Sequence, residues 1–120
     1  MADRVLFISW GQVVRGREER SLEVFNESMG LYGRMQQDGR IESFDVCLLT
    51  PNSGIAGYIQ LNGSAEQIAA VRQDDEFLRN MNDAFLIVDD LAYTDGMTAG
   101  AIADQMARYQ EAVSKVAQTA

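Results

Sequence analysis

Ser9, Trp10, Asp45, Tyr58, Gln60 and Asp89 each stand in a segment otherwise built of apolar residues, and Ser43 and Asp90 share the pattern. A polar group carried into such surroundings must find a hydrogen-bond partner or a ligand. In one reading the polar residues converge on a small cavity. There Asp45 or Asp89, its pKa raised by burial, serves as a base while Tyr58 or Ser9 orients a substrate. In the other reading each points to solvent at a strand end, or bonds across strands or to a second copy of the chain. Trp10, next to Gly11, could stack a planar ligand, and it equally suits a core or an interface.

What the chain lacks narrows the chemistry further. It has no histidine and one cysteine, Cys47. The usual imidazole base, the Ser-His and Cys-His nucleophile pairs, histidine-ligated haem and most transition-metal sites are therefore excluded. Catalysis would fall to carboxylates, Tyr, Lys, Arg or backbone groups. No nucleotide fingerprint or metal motif is present, so no cofactor and no metal is expected. Cys47 has no lysine or histidine beside it and reads as a small buried hydrophobe. Arg15, Arg17 and Arg20 could hold a carboxylate at a cavity mouth, or lie solvated and paired with Glu18 and Glu19. Asp74-Asp75-Glu76 lacks EF-hand spacing and suits the first turn of a helix.

With 120 residues, 47% hydrophobic and 23% charged, the chain has the composition of one globular domain spanning 1–120. Its net charge of −8 would repel phosphate backbones and anionic membrane surfaces, so neither nucleic acid nor membrane is an expected partner. Val5–Ile8 is too short for a signal-peptide core, and no segment approaches a bilayer span. A cytoplasmic protein is expected, in keeping with a lone cysteine.

The elements that must position these residues follow from periodicity. Val5–Trp10 reads as a strand, and Glu18–Gln37 as a helix with Leu22, Phe25, Met29, Tyr32 and Met35 along one stripe. Gly30 and Gly33 within that helix suggest close packing against a sheet. Ile41–Leu49 and Ile55–Leu61 read as a hairpin around the Thr50-Pro51-Asn52-Ser53-Gly54 turn. Ser64 with Gln67 gives a capping box, and Asp74 a second cap that restarts the helix. Phe85–Leu91 reads as the fourth strand, with Tyr93–Gly96 leaving the sheet. Last, Thr98–Val116 is a helix whose Ile102, Met106, Tyr109, Val113 and Val116 form a narrow heptad-like seam.

The order β-α-β-β-α-β plus a terminal helix is the α+β, ferredoxin-like arrangement, with a four-stranded antiparallel sheet. Two helices cover one face of such a sheet. The other would expose some of Leu6, Ile8, Trp10, Phe44, Tyr58 and Phe85, more than a soluble monomer usually shows. The terminal helix or the sheet of a second copy should cover it, and a homodimer is expected.

This order, together with GRMQQDGRIESF at Gly33–Phe44 and AVRQDDEFLRNM at Ala70–Met81, resembles the dimeric α+β barrel superfamily, most of all a branch of small bacterial proteins without an assigned reaction. The resemblance covers roughly Val5 to Gly96 and rests on architecture rather than on a catalytic motif. It implies two sheets paired into a barrel and, in each subunit, a ligand cavity between sheet and helices. The superfamily includes cofactor-free monooxygenases, lactone isomerases and haem-using enzymes; roles that need histidine have no residue here to receive them. The resemblance therefore implies a homodimer that binds a small, mostly apolar organic molecule and that is able to act as a cofactor-independent enzyme. The alternative is a non-catalytic dimer with a filled core.

Overall fold

The computed structural model describes residues 1–119. Its elements are β1 (Arg4–Trp10), α1 (Glu18–Gln37), β2 (Ser43–Leu48), β3 (Gly57–Gly63), α2 (Ala65–Gln73), α3 (Asp75–Phe85), β4 (Ala92–Met97) and α4 (Gly100–Ser114). The four strands form one antiparallel sheet in the order β2-β3-β1-β4. β1 is central, which is why both of its faces are apolar: Leu6 and Ile8 turn toward the helices, Val5 and Phe7 away from them. The register aligns Ile8 with Ile59 and Tyr93, and Leu6 with Leu61, so the inward face is a continuous apolar floor under α1, α2 and α3.

Local signals set most element ends. Asn52 builds the hairpin turn, donating to the carbonyls of Thr50 and Ile55 and accepting from the Gly54 N–H. Ser64 and Gln67 bond reciprocally as a capping box at the start of α2. Asp74 accepts from the Phe77 N–H at 2.9 Å and starts α3, so the expected restart of the helix lies at this residue.

Three expectations need correction. The fourth strand is Ala92–Met97, not Phe85–Leu91. Phe85 ends α3, and Ile87 and Val88 turn inward with Val24 as a buried plug, where Val88 makes one isolated bridge to Val13. The apolar, β-branched signal belonged to that plug; the true strand, AYTDGM, has weak propensity and is held by its ladder to β1. Second, the buried stripe of α1 is Val24, Ser28, Leu31, Tyr32 and Met35, and Leu22 is 68% exposed. At about 100° per residue, Leu22 lies some 140° around the helix from Met35, so the two cannot both face the sheet. Third, a Cβ on Gly33 would meet nothing within 4 Å and one on Gly30 only the Arg34 side chain, so neither glycine serves close packing.

Of the residues expected on the open sheet face, only Tyr58 is there. Leu6, Ile8, Trp10 and Phe44 point to the helices, and Phe85 lies at the end of α3. α4 does not cover that face. Beyond the buried Ala101, its side chains are exposed except for half-buried Gln105. The radius of gyration, 17.2 Å, accordingly exceeds the roughly 13–14 Å of a compact chain this long.

Candidate functional site

Between the inward sheet face, α1, α3 and the Ile87–Val88 plug lies a cavity of about 340 Å³. Alternation places Ile8 and Ile59 on its sheet side, while the four-residue spacing of Val24, Ser28 and Tyr32 brings all three into it from α1. Trp10 closes one end, packed edge-on against Phe25 with ring centroids 6.4 Å apart. Leu22 and Leu48, each 68% exposed, form the rim.

The position of the indole depends on Gly57. A Cβ there would come within 2.8 Å of the Trp10 ring and of the Cys47 carbonyl. Gly57→Ala is expected to cost about 1–3 kcal/mol and to push the indole toward the cavity. Since Trp10 is the one tryptophan, its emission spectrum together with urea denaturation reads both effects; an unchanged spectrum would mean the ring is not held this way.

The polar side chains of the wall are Ser21, Ser28 and Tyr32, and the buried Ser28 and Tyr32 are backed by the buried Asn80. The Ser28 hydroxyl lies 2.9 Å from the Val24 carbonyl and 3.0 Å from Asn80 Oδ1, and its single proton can serve one of them at a time. The Tyr32 hydroxyl reaches Asn80 Oδ1 only at 3.5 Å, a weak bond. Burial pushes the Tyr32 hydroxyl far above its ordinary pKa, so it stays protonated and able to donate. Tyr32 is the only ionisable side chain in the wall. The site can thus desolvate a neutral molecule and offer it one or two hydrogen bonds, and it has no carboxylate to act as a base.

Of the six residues singled out in the sequence, Trp10 lines this cavity. Ser9, Asp45, Tyr58 and Gln60 lie together on the opposite, open face of the sheet, where the register sets Ser9 against Tyr58 and Gln60 against Asp45. Asn62 there donates to Ser43 at 3.1 Å and to Asp45 at 3.0 Å, and accepts from Gln60 at 2.9 Å. The Tyr58 ring lies 5.0 Å from that of Phe7, and its hydroxyl is held above its ordinary range by the charge and hydrogen bond of Cys47, with desolvation and Asp45 adding. Cys47 is half-buried on this face rather than in the core. Asp89, with Asp90, is in an exposed bend, and its main chain bonds to Gly11 and Gln12. The polar strand residues therefore do not converge on the cavity, because strand alternation carries them to the other side of the sheet.

Ser28 and Asn80 escaped the sequence reading. Their signal was a polar residue inside a buried helical stripe, Ser28 between Val24 and Tyr32 and Asn80 between Phe77 and Met81. Other polar clusters are structural: Asp75 pairs with Arg79 at 3.0 Å, Glu76 with Arg34, and Arg20 with Glu27 and Asp83. Arg17 bonds the Leu86 carbonyl. Among the described residues no group of three or more Asp, Glu or Cys could hold a metal ion. No helix among them is long and apolar enough to cross a membrane.

No protein-family model and no curated protein sequence matches the chain. Several solved structures are similar to it, among them the two that follow. A dimeric protein of unknown function and ferredoxin-like fold from Bacteroides fragilis aligns with a TM-score of 0.58 at 13% identity, over 78% of this chain and 95% of its own. SnoaB, a cofactor-independent oxygenase from Streptomyces nogalater, aligns with a TM-score of 0.50 at 16% identity, over 82% of this chain and 94% of its own. What is shared at these identities is the fold, the ferredoxin-like α+β arrangement to which the sequence resemblance pointed.

Proposed function

We propose that the protein is a homodimer that binds one small, neutral, mostly apolar organic molecule per subunit in the cavity between sheet and helices. The observation that carries this reading is the space of about 340 Å³ with mostly apolar walls, in which Ser21, Ser28 and Tyr32 are the side chains bearing hydroxyls. Its size falls among small-molecule pockets, and it opens to solvent at the Leu22 and Leu48 rim. The absence of charge in the wall selects a neutral ligand, since an ion would lose its hydration without a partner. Trp10 and Phe25 suit a planar ring system, and Tyr32 suits an oxygen acceptor on it. Pairing of open sheet faces, with Phe7 and Tyr58 near the centre and Ser9, Asp45 and Gln60 around them, agrees with the dimeric description of the Bacteroides fragilis protein. A cofactor-independent reaction, as the description of SnoaB suggests, would here rest on orientation and hydrogen bonding.

Native mass spectrometry of the purified protein tests for a retained small molecule, and titration with neutral naphthalene-sized ketones, followed by Trp10 fluorescence, tests for binding. Saturable quenching is expected, and Ser28→Val should weaken it about tenfold by removing a hydrogen-bonding group of the wall. Absence of both a retained mass and saturable quenching would overturn the ligand reading.

A further inference from the structure

The element left without a partner is α4. It spans 15 residues, about 22 Å, after Ala99, whose left-handed φ of 49° turns the chain away from the sheet. Ile102, Met106, Tyr109 and Val113 are 37–57% exposed and share one seam, whereas Val116, expected to extend it, lies past the helix end at Ser114. A seam with strict four-three spacing is narrower than the stripe a helix lays on a sheet or globular body, and its natural complement is another helix. The flanking positions, Ala103, Gln105, Gln110 and Ala112, are uncharged, and two of them are small enough to let helices approach closely. Asp104, Arg108, Glu111 and Lys115 lie on the far side, where Glu111 and Lys115 pair with each other at 3.8 Å. The same surface on a second chain thus meets no like charge. Covering the four side chains would bury on the order of 400 Å² per copy, about half of what each partner gives to a stable pair.

We propose that α4 is a self-pairing arm, its seam covered by α4 of a second copy. This contact is distinct from any pairing of the open sheet faces. Tyr109 and Met106 flank the middle of the four-residue seam, so Tyr109 meets its own copy in a parallel pair and lies within about one turn of it in an antiparallel one. The test uses the full chain as Tyr109→Glu and Tyr109→Lys, each measured alone and then mixed, by sedimentation over a dilution series. α4 lies outside the core, so both variants should fold, which circular dichroism checks. Each alone should self-associate about thirtyfold more weakly than the parent, and the equal mixture should recover to within about threefold of it. Recovery depends on α4 meeting α4 and not on how the sheets meet, so a failure of sheet pairing would leave it intact. If the mixture stays as weak as either variant, the arm lies against the body of the second copy or another protein, and the proposal fails. It also fails if neither substitution changes association.

Discussion

Phe7→Arg is expected to weaken self-association about a hundredfold or more while leaving the subunit folded. Phe7 lies on β1, the central strand, and its ring faces away from the helices against Tyr58 of β3. Val5, on the same face, is already buried within the chain, whereas Phe7 and Tyr58 are only half-buried. An arginine there can reach water in the separate subunit, so the substitution costs little in folding. In a face-to-face pair, two-fold symmetry brings two guanidinium groups toward one another in a desolvated layer, and each lacks a counter-ion unless Asp45 swings to it. An uncompensated pair of this kind costs about 3 kcal/mol or more, which converts to the factor given. Light scattering across a dilution series measures it, with thermal unfolding as the check on the fold. If the substituted chain holds its partner as tightly as the parent, the open sheet face is not the interface.

The same face explains what the sequence could and could not reveal. Periodicity located the first strand, the long helix, the hairpin and the two capped helix starts, because these depend on neighbours a few residues away. It misplaced the fourth strand because burial, not strand geometry, is what apolar β-branched residues report. Ile87 and Val88 are buried as a plug at the cavity, and Ala92–Met97 is a strand only because β1 offers it a ladder. For the site, polarity inside apolar strands was a real signal of a face that differs from the core. Which side of the sheet carries the cavity depends on where the helices pack, and that is set by contacts distant in sequence. Asp45, Tyr58 and Gln60 therefore fell together on the open side. Ser28 and Asn80 are 52 residues apart, and their hydrogen bond exists only once α1 and α3 lie side by side.

The buried end of the cavity makes the second large prediction, a loss of stability at alkaline pH that Tyr32→Phe should remove. Tyr32 is 0% exposed, and its hydroxyl keeps its proton in the folded state because burial has pushed its pKa far above the usual 10. In the unfolded chain it ionises near 10. A group whose folded pKa is raised stabilises fully below the unfolded value, and that contribution is lost as pH rises toward the folded one. Stability should therefore be flat with respect to Tyr32 up to about pH 9.5 and then fall by about 1.4 kcal/mol per pH unit. The background is favourable: the chain has nine arginines, which stay charged, against one lysine, Lys115, which is exposed. Tyr58 is also shifted upward, but it is not buried and adds little. At neutral pH, Tyr32→Phe should cost only about 0.5–1.5 kcal/mol, since the bond it removes is a weak one of 3.5 Å to Asn80. Urea denaturation at pH 8, 10 and 11.5 should then show two curves that converge and cross, with the parent losing about 2 kcal/mol more than the variant over that range. Parallel curves would mean that Tyr32 reaches water in the folded protein. The hydroxyl would then not be the dry donor that the proposed recognition of a neutral ligand requires.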